Sequence, residues 1–255
     1  MPNSTQHFLD LLVSMTEKEF RVRYKYTVFG FLWLILLPVL QMLVIGFIFT
    51  FFIKQPVAHY NFHLFIGLLV WNFFSLSLNK TTPSIVFERS LIKKASFPHA
   101  VIPLSIILSN FINFLLALIL YFIAILFLGT FSLVNVFYLL IGLTQLFAFT
   151  MGLSLLTSSL NVRFRDVAFF VQAILIIWFY ATPIIYSLTM VPARLFWLWR
   201  LNPLTSTLQF LQNAFLGEPL PGLAMIGSNL LIIIVIIILG ILVFNKESRN
   251  FDDWL

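Results

Sequence analysis

A short stretch, residues 88–98, combines charged and apolar side chains in a chain that is otherwise mostly apolar. Four of its charges lie within seven positions, although the sequence has only 15 Lys and Arg and 9 Asp and Glu among 255 residues. Protein interfaces join an apolar centre to a polar rim, so a short helix of this composition is typical of a docking element. The alternative is a solvated turn whose cations only set the orientation of the chain in a membrane. The candidate docking residues are Glu88, Arg89, Leu91, Ile92, Lys93 and Lys94.

A second cation cluster lies in the sequence RVRYK. Arg21 and Lys25 are one helical turn apart and share a face, whereas Arg23 lies on another face. A guanidinium group offers a planar pair of donors that matches the oxygens of a phosphate. The cluster therefore predicts either a phosphate site or an anchor for an interfacial segment at lipid headgroups.

Catalytic motifs do not accompany these clusters. The sequence has no G-x-x-x-x-G-K-[ST] phosphate loop, no cysteine, and four histidines without H-E-x-x-H spacing. We therefore expect no catalytic residue, no metal site and no cofactor in this chain. No Asp or Glu falls inside a predicted membrane span, which disfavours an ion-coupled carrier. If the protein transports a substrate, the energy is expected to come from another subunit.

Composition indicates that these clusters are positioned by membrane helices. The chain is 61% hydrophobic and 9% charged, whereas about a quarter of residues are charged in soluble proteins. Apolar runs of about 18 residues or more predict helical spans, because about 20 helical residues cross the hydrocarbon of a bilayer. Helices also satisfy their own backbone hydrogen bonds in lipid. The predicted fold is an all-α integral membrane protein with a single domain over residues 1–255.

Six membrane spans are predicted from the apolar runs. Residues 1–27 form an amphipathic segment that is expected to lie along the cytoplasmic interface. Residues 187–222 are too apolar for a solvated loop, and Asn202 followed by Pro203 predicts a helix start within them. We expect re-entrant periplasmic helices in that segment, between spans five and six. The predicted spans are 28–53, 62–87, 101–128, 133–160, 167–186 and 223–244.

The cations divide unevenly between the two sides of this topology. Most Lys and Arg residues fall in the N-terminal segment, in residues 88–98, in the turn after span four and in the C-terminal tail. By the positive-inside rule these segments are cytoplasmic, and both termini then lie inside. The net charge of +6 comes from cations whose positions follow the positive-inside rule. No nucleic-acid partner is therefore expected.

Five blocks of sequence occur in order along the chain: RVRYKYTVFGFLWLILLPVL (21–40), LIKKASFPHAVIPLSIILS (91–109), LNVRFRDVAFF (160–170), ATPIIYS (181–187) and LNPLT (201–205). Together they resemble the permease subunit of type-2 ABC exporters, and more specifically those that export O-antigen or related cell-surface polysaccharides. The resemblance covers nearly the whole chain.

This resemblance implies a homodimer bound to two ATPase subunits, which would bind ATP and Mg and drive a polyprenyl-pyrophosphate-linked glycan across the bacterial inner membrane. Residues 88–98 would be a coupling helix seated on the ATPase. Arg21, Arg23 and Lys25 would meet the pyrophosphate. Aromatic side chains on spans one and five would line the conduit or face membrane lipid. These aromatic residues are Phe29, Trp33, Phe47, Phe51, Trp178, Phe179 and Tyr180.

Three alternatives stay open at this point. The permease could export another substrate, such as teichoic acid, a capsule or a hydrophobic drug. It could also be a membrane-embedded enzyme acting on polyprenyl-phosphate sugars, although no carboxylate or histidine cluster is evident at a membrane face. A passive channel, working without nucleotide, is the third alternative.

Overall fold

A computed structural model of the chain describes residues 4–26, 30–49, 51, 59–94, 97–127 and 135–254. The regular elements in these residues are helical. The long helices are joined by short ones, some of four or five residues, and by single turns of 3-10 helix. The α-helices are α1 (Ser4–Tyr24), α2 (Trp33–Ile48), α3 (Tyr60–Thr81), α4 (Ser84–Phe87), α5 (Arg89–Ile92), α6 (Val101–Leu126), α7 (Asn135–Arg163), α8 (Asp166–Ala181), α9 (Phe196–Arg200), α10 (Pro203–Leu216), α11 (Leu223–Glu247) and α12 (Phe251–Trp254).

Four helices in the described part of the chain, α3, α6, α7 and α11, are long and apolar enough to cross a membrane. The helices at predicted spans one and five, α2 and α8, are apolar but have 16 residues each. That length is below the roughly 20 residues of a complete crossing. The predicted second span is also shorter than expected, because α3 ends at Thr81 and a separate turn, α4, follows Pro83.

The main core is built around α3, whose buried side chains contact α6, α7, α8 and α10. Aromatic stacking is extensive there: the rings of Phe74 and Phe149 are nearly parallel, with centroids 5.6 Å apart. Helix α11 packs along α7 and leaves most of its surface outside. The uneven burial of these apolar helices is typical of a bundle surrounded by lipid or by other subunits.

Helices α7 and α11 cross at two glycines. A Cβ atom on Gly152 would lie 2.9 Å from the backbone nitrogen of Ile237, and one on Gly240 would meet the carbonyl oxygen of Gly152. Small residues at a helix crossing allow this close backbone approach in membranes. The two helices are therefore in backbone contact near the middle of the bundle.

A second, smaller apolar cluster closes one end of the bundle, which we call the basic end because α5 and the α7–α8 turn present their Lys and Arg side chains there. The cluster joins α1, the short helices α4 and α5, and the C-terminal helix α12. Its buried members are Met15, Ile85, Ile92, Val101, Ile102, Leu155, Val162, Phe244 and Phe251.

The opposite end of the bundle contains the segment that was predicted to be re-entrant. Helix α10 begins as predicted: Pro203 is its first residue and the side chain of Asn202 accepts a hydrogen bond from the backbone N–H of Leu204, at 3.1 Å. The apolar face of α10 is buried, whereas residues 192–198 before it are exposed. The segment thus divides into an exposed arm and a core helix.

Candidate functional site

Arg23 lines a cavity between α1, α2 and α3, near the basic end. The cavity encloses about 520 Å³, which is within the range of roughly 300–1,000 Å³ that is usual for ligand pockets. Its apolar wall comes from leucines and Pro38 of α2 and α3. The polar and aromatic side chains in its lining are Arg23, Tyr24, Trp33, Gln41, Asn72, Ser75 and Asn79.

The end of α1 is tied to the bundle by two asparagines of α6. The guanidinium group of Arg23 donates to Oδ1 of Asn110, and the Tyr24 hydroxyl donates to Oδ1 of Asn113 at 3.0 Å. Asn110 in turn donates from Nδ2 to the Ser77 hydroxyl at 3.0 Å. This network fixes the position of the Arg23 side chain relative to α3 and α6.

Two donors of this network have no hydrogen-bond acceptor within the described residues: Nε of Arg23 and Nδ2 of Asn113. Both residues border a small space of about 70 Å³ that shares Arg23 and Asn72 with the larger cavity. Burial lowers the pKa of the Arg23 guanidinium below its usual range, although arginine stays charged near neutral pH. Burial also raises the pKa of Tyr24. A positive charge and unused N–H donors make this corner of the cavity suitable for an anion.

The other two cations of the RVRYK cluster lie outside the cavity. Arg21 is exposed and pairs with Glu17, one turn earlier on α1. Lys25 is exposed, with its Nζ atom 5.0 Å from the ring centroid of Tyr26. The sequence placed the three cations in one candidate site, and the structure separates Arg23 from the other two.

Within its described residues, the candidate coupling segment forms one helical turn, α5, over Arg89–Ile92. Residues 95 and 96 of the segment lie outside the described residues. Arg89, Lys93 and Lys94 are exposed there. Phe87, at the end of α4, is also exposed, at 75% of its surface. We call these four residues the docking surface. The sequence reasoning missed Phe87, although an aromatic residue directly before Glu88 was a visible signal.

The remaining members of the predicted coupling set hold α5 in place. Glu88 accepts a hydrogen bond from the Lys18 ammonium group of α1 at 2.8 Å. Ile92 is 4% exposed and belongs to the apolar cluster of the basic end, and Leu91 packs against that cluster. Ile92 is therefore anchored inside the chain, and its predicted contact with an ATPase stays a prediction.

The predicted conduit aromatics fall into different environments. Trp33 lines the Arg23 cavity, whereas Phe47 and Phe51 are exposed and contact each other, with ring centroids 4.8 Å apart. Tyr180 is also exposed. The exposed members of the set therefore lie on α2, just after it, and at the end of α8. Phe29 lies outside the described residues.

Two residues of that set belong to the interior instead. Trp178 is partly buried: its indole Nε1 donates to Oδ1 of Asn202 at 3.0 Å, and its ring meets Phe74 edge-on. Phe179 is partly buried against Trp71, with ring centroids 5.4 Å apart. The hydrogen bond with Asn202 holds Trp178 against the bundle, and its predicted place in a conduit wall stays a prediction.

Comparison with known proteins accounts for this arrangement. Residues 10–216 match the family described as ABC-2 type transporter. The chain belongs to the ABC-2 type transporter family. Members of this family are multi-pass membrane permeases, so the chain is a transport permease, and its apolar helices agree with that.

Two O-antigen export permeases resemble this ABC-2 family member over nearly its whole length. One is the O-antigen export system permease protein RfbA of Myxococcus xanthus, which is 32% identical over 247 residues, 95% of this chain and 94% of the relative. Another carries the same name in Klebsiella pneumoniae and is 32% identical over 253 residues, 98% of this chain and 96% of the relative.

The chemistry of the site suits the binding of charged groups. Within the described ranges, no three His, Asp or Glu side chains come together as a metal site would need. The Arg23 cavity offers an anion one guanidinium and several amides, and the docking surface exposes three cations and one phenyl ring within eight residues of sequence. Both features suit a permease of the ABC-2 family.

Proposed function

We propose that this chain is the transmembrane subunit of an ATP-driven exporter that moves a lipid-linked, O-antigen-like polysaccharide outward across the bacterial inner membrane. The observation that carries this proposal is the 32% identity to O-antigen export permeases over at least 95% of the chain. Family membership alone would also fit an exporter of another substrate. The Arg23 cavity favours a substrate with an anionic group.

The proposed architecture has six spans, with α2 and α8 as the two short ones, and re-entrant periplasmic helices between spans five and six. The basic end is cytoplasmic by the positive-inside rule, so both termini lie in the cytoplasm. Two copies of the chain form the translocation path. Exposed aromatic side chains on α2 and α8 support a conduit between the copies, because the faces of aromatic rings tolerate different sugars of a passing polymer.

Energy enters through a partner ATPase that binds ATP and Mg, two copies per permease dimer. The docking surface supports this contact, because its cations and an exposed phenyl ring are close in sequence and Ile92 of α5 is anchored in the apolar cluster of the basic end. An apolar centre with a charged rim is the usual composition of an interface between proteins. The polyprenyl pyrophosphate of the substrate is held by Arg23, while Arg21 and Lys25 contact lipid headgroups.

The test of substrate class is export in cells. Deletion of this chain should leave the lipid-linked glycan on the cytoplasmic side and remove the polysaccharide from the cell surface, and a plasmid copy should restore it. Surface labelling with a polysaccharide-specific antibody measures both. Normal surface polysaccharide in the deletion strain would contradict the proposed substrate.

The test of ATPase docking is co-purification with the phosphate-loop ATPase that a neighbouring reading frame is expected to encode. The double variant Arg89→Glu and Lys93→Glu should reduce the amount of ATPase that co-purifies by about tenfold, because two favourable charge contacts become repulsive. Lys246→Glu with Arg249→Glu is the matched control: it makes the same change of charge on exposed residues of the C-terminal segment. Equal co-purification of both variants with the ATPase would contradict the docking surface.

A further inference from the structure

A polar stripe on α3 faces the Arg23 cavity. Asn72, Ser75 and Asn79 all line the cavity, and their spacing of three and four residues places them on one face of the helix. At about 1.5 Å per residue the stripe is about 10 Å long. Asn79 lies near the basic end, whereas Asn72 lies near the middle of the 22-residue helix. The stripe therefore leads from the membrane surface into the middle of a candidate span.

An amide pair stands at the deep end of this stripe. Nδ2 of Asn72 donates to Oε1 of Gln41 on α2 at 3.0 Å, and the pair is exposed. Exposed amides are costly against lipid hydrocarbon, which offers no hydrogen bonds. The pair still has the Gln41 amide N–H groups as donors and the Asn72 carbonyl oxygen as an acceptor. This wall is suited to a ligand with hydroxyl groups.

Trp33 and Arg23 complete the chemistry of the cavity. Trp33 is 38% exposed and lines the same space as the amides. The face of an indole ring packs against the C–H face of a sugar, while amides bind the hydroxyls at its edge. Arg23 carries the positive charge and a buried Nε donor without an acceptor in the described residues. An anionic phosphate joined to a sugar ring has the complementary set of groups.

We propose that this cavity binds the first sugar of the exported lipid together with its pyrophosphate, and that Gln41, Asn72 and Asn79 recognise the hydroxyls of that sugar. The inference rests on the proposed function. It identifies the first sugar as the part of the substrate by which the permease recognises its cargo. Arg23 holds the phosphate, Asn79 and the deeper amide pair contact the sugar edge, and Trp33 lies against its face.

Binding of two defined probes to the purified full-length chain in lipid nanodiscs tests this assignment. One probe is a polyprenyl pyrophosphate carrying a single N-acetylhexosamine, and the other is the same lipid without the sugar. The double variant Gln41→Leu and Asn72→Leu removes both partners of the amide pair, so neither is left unpaired. Asn79→Leu removes an exposed amide. Asn61→Leu is the matched control, because Asn61 is an exposed amide on the same helix that lines another cavity.

The wild-type chain is expected to bind the sugar-bearing probe more tightly than the sugar-free one. The double variant should lose about tenfold in affinity for the sugar-bearing probe alone, as expected for two lost hydrogen bonds of about 0.7 kcal/mol each. Asn79→Leu should lose about threefold, and Asn61→Leu should lose nothing. Arg23→Gln should weaken the binding of both probes.

Two results would overturn the assignment. The first is equal binding of the two probes by the wild-type chain. The amides would then line a water-filled path or a contact between subunits instead of binding a sugar. The second is an equal loss of both probes in the double variant, which would assign the amides to the phosphate or to folding. A chain that discriminates between the probes but does not support glycan export in cells would contradict the proposed function alone.

Discussion

The basic end and the opposite end of the bundle hold their short helices with different kinds of contact. At the basic end, α5 and α12 rest on a shared apolar cluster, and the Arg89 side chain of α5 is exposed. At the opposite end, α10 adds directional polar contacts to its buried apolar face: Asn202 caps its first turn, and Gln212 Nε2 lies 3.3 Å from His63 Nε2. Just beyond the helix, Glu218 Oε1 contacts Nδ1 of the same imidazole at 2.7 Å. Apolar contacts are non-directional, whereas hydrogen bonds fix distance and angle. The difference suggests that α5 can shift slightly under a partner while α10 stays in place.

The largest effect is expected from Phe251→Ala, which removes a fully buried ring from the apolar cluster of the basic end. Phe251 is 0% exposed and its ring lies 5.7 Å from that of Phe244. Truncation of a buried phenylalanine typically costs about 3–5 kcal/mol of unfolding free energy. Equilibrium unfolding in mixed micelles of dodecyl maltoside and SDS measures the change.

Phe87→Ala is the matched control for that substitution, because it removes the same side chain from an exposed position at the same end. Its unfolding free energy should change by less than about 0.5 kcal/mol. Similar losses for the two variants would show that the apolar cluster does not hold this end together.

The next effect is expected from Asn202→Ala at the opposite end. Asn202 caps α10 through Leu204 N and accepts the Trp178 indole N–H, while its own amide donates to the Thr182 hydroxyl at 3.0 Å. Loss of the cap and of these partners should cost about 2–3 kcal/mol. The tryptophan emission spectrum should also shift as Trp178 loses its partner. Asn61→Ala, at an exposed amide of α3, should change neither the unfolding free energy nor the emission spectrum. If Asn202→Ala also changed neither, polar contacts would not be what holds α10 in place.

A smaller effect is expected from Glu218→Gln. The carboxylate contacts the imidazole of His63, a side chain that is 2% exposed, and Gln keeps the shape while removing the charge. The expected loss is about 1 kcal/mol, because a charge-assisted hydrogen bond becomes a neutral one. A double-mutant cycle with His63→Gln isolates the pair, and additive losses would exclude a direct coupling. Glu17→Gln, in an exposed pair, serves as the control.

The smallest effect is expected from Lys18→Ala. This lysine forms a partly exposed ion pair with Glu88, beside the docking surface. Exposed ion pairs contribute about 0–1 kcal/mol and weaken as salt rises. Unfolding at about 0.05 M and 0.5 M salt should therefore show a small difference from wild type that disappears at the higher concentration. If Lys18→Ala lowered the unfolding free energy at both salt concentrations by as much as Phe251→Ala, polar contacts would matter at the basic end as much as apolar ones.

Local sequence patterns predicted the elements that depend on neighbouring residues. The start of α10 followed from Asn202 and Pro203, and its buried face carries Leu204, Leu208, Leu211 and Phe215 at helical spacing. The predicted cation-bearing turn after span four lies between α7 and α8. A cap or a helical period involves only a few residues, so a single sequence contains the necessary information.

Contacts between distant residues could not be predicted in this way. Ile92 is buried in a cluster that also contains Phe251 of α12. The helical period put Arg23 on a different face from Arg21, but it could not predict that Asn110, 87 positions later, accepts the Arg23 hydrogen bond. Trp178 and Tyr180 are two residues apart and equally aromatic, yet only Trp178 meets Asn202. Composition and helical periodicity do not specify which of two aromatic residues forms a hydrogen bond with a distant side chain.

The length of α8 has a consequence for the lipid around the protein. With 16 residues, α8 is about 24 Å long, and the chain turns to an extended conformation at Thr182. A hydrocarbon layer is about 30 Å thick, and a short apolar helix is accommodated by local thinning of the bilayer or by other protein that covers its ends. In the proposed six-span architecture, lipid that contacts α8 directly would be thinned around it. The rate of transport should therefore depend on the length of the lipid acyl chains, since a thinner bilayer shortens the distance that a charged headgroup must cross.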